Sequence, residues 1–321
     1  MNDINIGIQW STSVVVLAHK ALSPKIRLHW IYLLSALLMA LWTYRRSRRQ
    51  GEQGTLAQYL FPRSVWLHSS AITDYAFFAL TVPIWTLFVL PRLPAAAQYA
   101  DHLRATAQHW FGAGAGLPMK IPAIALLYGA VLVVVGDFAR YWVHRLMHGN
   151  QALWEFHKVH HSAEVLTPIT FYRTHPVDML VQALVEPMAI AFVTALFAYL
   201  FPGVLSPYTF LGVNIFRFTF YLLGANLRHS HIWLSFGSNV EHVLISPAQH
   251  QIHHSADPKH FGRNFGSEFA IWDWLFGTLQ CAGQERPVVL GLGTDENAKL
   301  STVWQLYARP FQASWPSSLS P

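Results

Sequence analysis

The chain has 321 residues, of which 12% are charged, about half the usual share for a soluble domain. Aromatic residues make up 14%, with 13 Trp. The net charge of +6 is spread thinly, with no basic, aromatic-interleaved run of the nucleic-acid-binding kind, and the single cysteine, Cys281, excludes an internal disulfide and a cysteine-based zinc site.

In chain order, the first 18 residues contain Asp3 and lack the basic start of a signal peptide. Apolar segments then recur at 30–44, 71–90, 121–136, 181–201 and 208–224, against roughly 20 residues needed per membrane span. The first is closed by Arg45-Arg46-Ser47-Arg48-Arg49, which reads as a cytoplasmic flank and outweighs Lys20, Lys25 and Arg27 on its other side. With that run in the cytoplasm, 92–120 becomes an external loop and the third segment delivers His144 and His148 to the cytoplasmic side. The turn at 202–207 makes a hairpin of the fourth and fifth segments, which returns Asn226 and His229 to that side. The Ser/Pro-rich tail at 308–321 reads as loose. These features predict an all-α fold: an integral membrane bundle of about five spans with a cytoplasmic, histidine-rich helical cap. The expected divisions are membrane spans and external loop at 1–120, a catalytic region at 121–285 and a C-terminal tail at 286–321.

Of the 18 histidines, 13 lie between His144 and His260. Eight form three clusters: His144 and His148; His157, His160 and His161; and His250, His253 and His254. Residues at i and i+4 project from one helix face, so His144/His148, His157/His161 and His250/His254 each form a helical pair. Imidazole binds zinc, copper, nickel or iron, and one tetrahedral ion needs only four ligands. The count therefore implies two metals held by nitrogen. Asp137 and Tyr141 share the stripe of His144 and His148 and are expected to hydrogen-bond the ligands. Glu186 and Arg217 lie inside the fourth and fifth apolar segments, where charge is costly. Their matched depth suggests a buried pair, or separate contacts with a lipid head group.

From Gly136 to Leu279 the sequence resembles the fatty-acid hydroxylase/sterol desaturase superfamily of membrane di-iron enzymes. The resemblance runs through Asp137-Phe138-Ala139-Arg140-Tyr141-Trp142-Val143-His144 and Trp154-Glu155-Phe156-His157-Lys158-Val159-His160-His161. It continues through Arg173-Thr174-His175-Pro176, Asn226-Leu227-Arg228-His229, Ser246-Pro247-Ala248-Gln249-His250, Asn264-Phe265-Gly266 and Trp272-Asp273-Trp274. It implies two irons on the eight box histidines, with His175 and His229 as the remaining ligands and Asn226 and Asp273 as their hydrogen-bonding neighbours. His231 stands between a spare ligand, a hydrogen-bonding neighbour of the ligands and a surface residue. O2 is the implied co-substrate and a lipid from the bilayer the implied substrate. No haem or flavin motif is present, so electrons are expected from a separate cytochrome- or ferredoxin-type protein.

Three functions compete. The leading one is an oxygenase hydroxylating an unactivated C–H bond of a lipid. The second is an acyl or sterol desaturase using the same boxes. The third is a metal-binding or transport protein without redox chemistry, against which stands the position of the boxes beyond the span ends rather than at the bilayer midplane.

Overall fold

In the computed structural model the described residues are 23–314, except 115, 118, 119, 203–205, 284, 285, 287 and 288. The first 18 residues, Lys20, the middle of the 202–207 turn and the end of the tail therefore lie outside the described residues. The rest is mostly helical, and its principal helices are α1 (Trp30–Arg49), α2 (Ser69–Ile84), α3 (Ala96–Phe111), α4 (Ile121–Gly149) and α5 (Gln151–His161). They continue with α6 (Pro176–Leu200), α7 (Ile215–Leu222), α8 (Pro247–His253), α9 (Ile271–Leu275) and α10 (Val303–Ser314). A two-residue antiparallel ribbon pairs Thr209 with Asn214 and Phe210 with Val213.

Local sequence sets the helix starts. Proline occupies the first turn of α4, α6 and α8, where its missing N–H costs no helical bond. Ser246 and Gln249 form a reciprocal capping box on α8. Asn150 separates α4 from α5 and accepts the Leu153 amide at 3.0 Å. That abrupt break brings the first two histidine clusters onto neighbouring helices.

Three stretches are long and apolar enough to cross a membrane: Ser69–Phe111, Ile121–Gly149 and Pro176–Leu200. The five expected spans thus reduce to three candidates among the described residues. The fifth fails because 208–224 is broken. Leu211 and Gly212 take left-handed backbone angles in the turn between the ribbon strands, and α7 has only eight residues, about 12 Å of helix. The first, α1, forms a 20-residue helix, but Ala36 and Ala40 pack against Leu227, Ile232 and Leu234 of the histidine-bearing region. The expected external loop at 92–120 contains α3, which runs along α6. Ala100 packs on Ala191 and Ala195, and Tyr199 donates to the Phe111 carbonyl at 3.3 Å. Small residues permit this approach, as between membrane helices. A Cβ on Gly114 would lie 2.0 Å from the Tyr199 carbonyl oxygen.

Helix α4 returns antiparallel to α6. Ile124 and Tyr128 near its start meet Phe197 and Phe201 near the end of α6. Outward faces carry exposed Leu126, Leu127, Val134, Leu184, Met188 and Phe192, a surface that suits lipid rather than water. The C-terminal end of α4 and the N-terminal ends of α2 and α6 meet at one end of the bundle. There Arg173 ties α2 to the cap, donating to Asp74 Oδ1 at 2.8 Å, Ser162 Oγ at 2.7 Å and the carbonyls of Val159 and Leu300. The expected tail is structured through Ser314. Helix α10 packs Leu306 against Phe77 and Val159 and sets the Phe311 ring edge-on to Phe156 and His175.

Candidate metal centre

Nine histidines converge at this end in two adjacent groups. His144, His148, His157, His161 and His253 form one, and His160, His229, His250 and His254 the other, with the donor atoms within each group lying within 4.8 Å of one another. Successive residues on a helix are about 100° apart, so neighbours in the chain part company. His161 goes to the first group and His160 to the second, and His253 and His254 divide likewise. The groups touch where the rings of His161 and His254 stack at 4.6 Å.

In the first group the outer nitrogens are held. His144 Nδ1 lies 2.8 Å from the Phe265 carbonyl, His253 Nδ1 2.7 Å from the Arg263 carbonyl and His157 Nδ1 2.7 Å from Asp178 Oδ2. Donation from Nδ1 leaves Nε2 unprotonated and free to ligate. The Nε2 atoms of His148, His157, His161 and His253 are buried without a protein partner. In the second group the Nε2 atoms meet one another. His160 and His229 are 3.1 Å apart, His229 and His250 3.0 Å, and His250 and His254 3.2 Å. An ion about 2.0–2.1 Å from each nitrogen spaces its ligands roughly 3.0–3.4 Å apart. Both donor sets therefore fit a metal ion, and nitrogen-only ligation suits zinc, copper, iron or nickel.

Burial holds these rings in the neutral form that ligation requires. It pushes His160 and His253 down to about 3. Burial and then neighbouring imidazoles depress His161, His229, His250 and His254 well below the ordinary histidine value.

Several sequence expectations shift by one bond or more. His175, expected as a ligand, belongs to neither group. Its Nδ1 accepts the Val177 amide at 3.1 Å as the cap of α6, and its Nε2 faces the Tyr307 carbonyl at 3.3 Å. His231 turns to the Tyr59 carbonyl. Asp137 reaches no ligand. It accepts the Glu268 and Phe269 amides at 2.8 and 3.0 Å and the Trp272 indole at 3.0 Å. Asp273 accepts the Phe265 and Gly266 amides, each at 2.8 Å. Tyr141 bonds Thr278 at 3.1 Å, and Asn226 donates to the Arg27 carbonyl at 2.7 Å. Sequence reasoning missed Asp178, the one carboxylate on a box histidine among the described residues. Its signal was an acid in the first turn of an apolar helix.

Glu186 and Arg217 do meet, at 3.2 Å, within a larger network. Arg140 bridges Glu186 at 2.6 Å, Glu268 at 3.0 Å and Asp137 at 3.2 Å, and Arg217 also reaches Glu268 at 3.1 Å. Gly136 makes room here, since a Cβ would stand 3.2 Å from Ile190.

Two cavities reach the histidines. One, of about 310 Å³, runs from Val82, Trp85, Met179 and Ala183 to Arg27, Arg228 and the rings of His144, His157, His160, His229 and His250. The other, of about 710 Å³, is bounded by Arg145, Lys158, Phe261 and Glu296 and reaches His148, His161 and His253.

The fatty acid hydroxylase family model matches residues 129–278, and the nine grouped histidines and Asp178 all lie inside that stretch. Alkylglycerol monooxygenase of Caenorhabditis elegans is 29% identical over 56% of this chain and 31% of its own length. Ornithine lipid hydroxylase OlsE of Rhizobium tropici is 28% identical over 56% of this chain and 49% of its own. Delta(7)-sterol 5(6)-desaturase erg3B of Aspergillus fumigatus is 29% identical over 51% of this chain and 42% of its own. The chain thus spans from about a third to half the length of these relatives. No solved structure matches it. Residues 129–278 are a fatty acid hydroxylase domain of the fatty-acid hydroxylase/sterol desaturase superfamily.

Proposed function

We propose that the protein is a multi-pass membrane oxidoreductase that uses two irons and O2 to hydroxylate an unactivated C–H bond of a lipid. The observation that carries this reading is the pair of imidazole groups, with the outer nitrogens of His144, His157 and His253 held and the inner nitrogens free or converging. Iron in both groups, when bound, supplies the O2 activation needed to attack an alkyl carbon, which lies beyond any side-chain acid, base or nucleophile. The ligands would be His144, His148, His157, His161 and His253 for one ion and His160, His229, His250 and His254 for the other. Asp178 and the carbonyls of Phe265 and Arg263 orient three of these rings. Val82, Trp85, Met179 and Ala183 offer an apolar wall to a lipid chain entering between α2 and α6, and their burial of the chain excludes water. The second cavity, with Arg145, Lys158 and Glu296 at its edge, suits docking of the cytochrome- or ferredoxin-type electron donor on the cytoplasmic face.

The sterol desaturases among the relatives favour a second reading, removal of two hydrogens by the same site. Protein from iron-replete cells is expected to hold two irons per chain, and His157→Ala or His253→Ala to lower that content and abolish oxidation. One zinc per chain with no iron requirement would sink the oxygenase reading. Lipid profiles of cells with and without the gene separate a hydroxylated product from a new double bond.

A further inference from the structure

Three arginines, Arg27, Arg140 and Arg228, line the smaller cavity, and they are treated unequally. Arg140 is neutralised by Asp137, Glu186 and Glu268. Arg27 and Arg228, which both line the cavity, have no carboxylate within ion-pair distance among the described residues. Arg228 is 2% exposed. Among the described residues its guanidinium donates only to the carbonyls of Ala225 and Ser267, and it lies over the Phe220 ring at 5.4 Å. The Arg27 guanidinium makes no hydrogen bond among the described residues and stacks 4.3 Å above Phe171 and 5.2 Å from Tyr221. Asn226, two residues before Arg228, fixes the Arg27 carbonyl at 2.7 Å, so the two cations are held by one local structure. That structure abuts the metal centre. Arg228 immediately precedes His229, and the Phe171 ring lies 5.7 Å from that of His229.

A buried cation without a counter-ion is costly. The fork of a guanidinium matches a carboxylate or phosphate and binds it through paired charge-assisted bonds. The cavity is also lined by the apolar side chains of Val82, Trp85, Met179 and Ala183. We propose that Arg27 and Arg228 form an anion subsite that takes the carboxylate or phosphodiester of a lipid headgroup. The substrate class is then an acidic or zwitterionic polar lipid rather than a sterol or a neutral glycerol ether. This inference rests on the lipid-oxidation reading above and names the substrate class for that same site.

Binding tests it without turnover. The full chain, purified in neutral detergent, is titrated with N-oleoylglycine, dioleoyl phosphatidylglycerol, monooleoylglycerol and inorganic phosphate, and bound lipid is read by native mass spectrometry. The two anionic lipids are expected to bind at least about tenfold more tightly than monooleoylglycerol, the scale of one charged hydrogen bond. Arg27→Met and Arg228→Gln should each erase that preference, and Arg228→Lys should restore part of it. Arg27 sits in a turn before α1, so Arg27→Met carries the test if Arg228→Gln fails to fold. Equal binding of anionic and neutral lipids, or an unchanged preference in Arg27→Met, overturns the proposal. So does displacement of N-oleoylglycine by millimolar phosphate with no preference among the lipids, which assigns the site to a free anion. Iron content, measured on the same preparations, separates the two readings. An anionic preference in a chain that takes up no iron fails the oxidation reading alone, and two irons without the preference fail only the subsite.

Discussion

Asp178→Asn is the sharpest perturbation of the proposed metal centre. Both neighbours of Asp178 are donors: His157 Nδ1 at 2.7 Å to Oδ2 and Gln182 Nε2 at 2.6 Å to Oδ1. The carboxylate accepts from each, whereas an amide offers one oxygen and one NH2. In either orientation of the new Asn, one donor faces another donor inside a fully buried site. If the NH2 faces His157, the proton moves to Nε2 and that nitrogen can no longer ligate. If the oxygen faces His157, the tautomer survives but the negative charge that strengthens the ligand is lost. Removing such an outer partner typically weakens metal affinity by about 10–100-fold, or roughly 1.4–2.7 kcal/mol. The stranded donor costs the metal-free fold about 1–3 kcal/mol in addition. Dialysis against chelators of graded strength, followed by metal analysis, should show one of two ions leaving at a weaker chelator than in the wild type. The second group contains neither residue and should keep its ion. Retention of both ions at the wild-type chelator midpoint would refute the reasoning, since His157 would then need no outer partner.

The metal-free protein should lose stability on acidification. His160 and His253 titrate at about 3 in the folded state, below the ordinary value near 6.5, so the unfolded chain binds more protons between those limits. Their contribution is complete above about pH 6.5 and is lost as pH falls towards 3. Thermal denaturation of chelator-treated protein between pH 8 and 5 checks this, and a rising midpoint on acidification contradicts it. For the charge network, Glu186→Gln and Arg217→Met should each destabilise the protein by about 1–3 kcal/mol, less than for a fully buried pair because both side chains are partly exposed. The double variant should recover only part of the loss, since Arg140 still lacks Glu186 and Glu268 still lacks Arg217; full recovery in a double-mutant cycle would show an isolated pair.

The histidine clusters are legible in the sequence because ligand spacing and helix period coincide. The three i, i+4 pairs each serve one group as pairs, while His160 and His253, at the i+3 positions between them, cross to the other group. The span count is less legible because hydropathy registers apolar content and not its destination. Segment 208–224 is apolar enough, but Asn214 caps α7 and donates to the Gly129 carbonyl at 2.9 Å, which ends any continuous helix there. Helix α1 spends its small residues on the cap. Asp178 is hard to find because it lies 21 residues from His157, and an acid in a first helical turn already has an ordinary explanation in the helix dipole.

The misplaced polar residues share one cause. His144 and His253 are oriented by backbone carbonyls, those of Phe265 and Arg263, and a carbonyl leaves no mark on the sequence. Its position has to be fixed by other side chains, and those are what the sequence displays. Asn264 adopts a left-handed backbone and ties that turn to the Gln249 and Gln280 carbonyls at 3.0 and 2.9 Å. Gly266 is required because a Cβ would lie 2.4 Å from the Phe269 carbonyl oxygen. Asp273 grips the amides of Phe265 and Gly266, and Asp137 those of Glu268 and Phe269. An acid on the stripe of the ligands thus acts on the loop that carries the ligands' acceptors. Asp137 and Tyr141 on that stripe bond this loop and Thr278 rather than an imidazole.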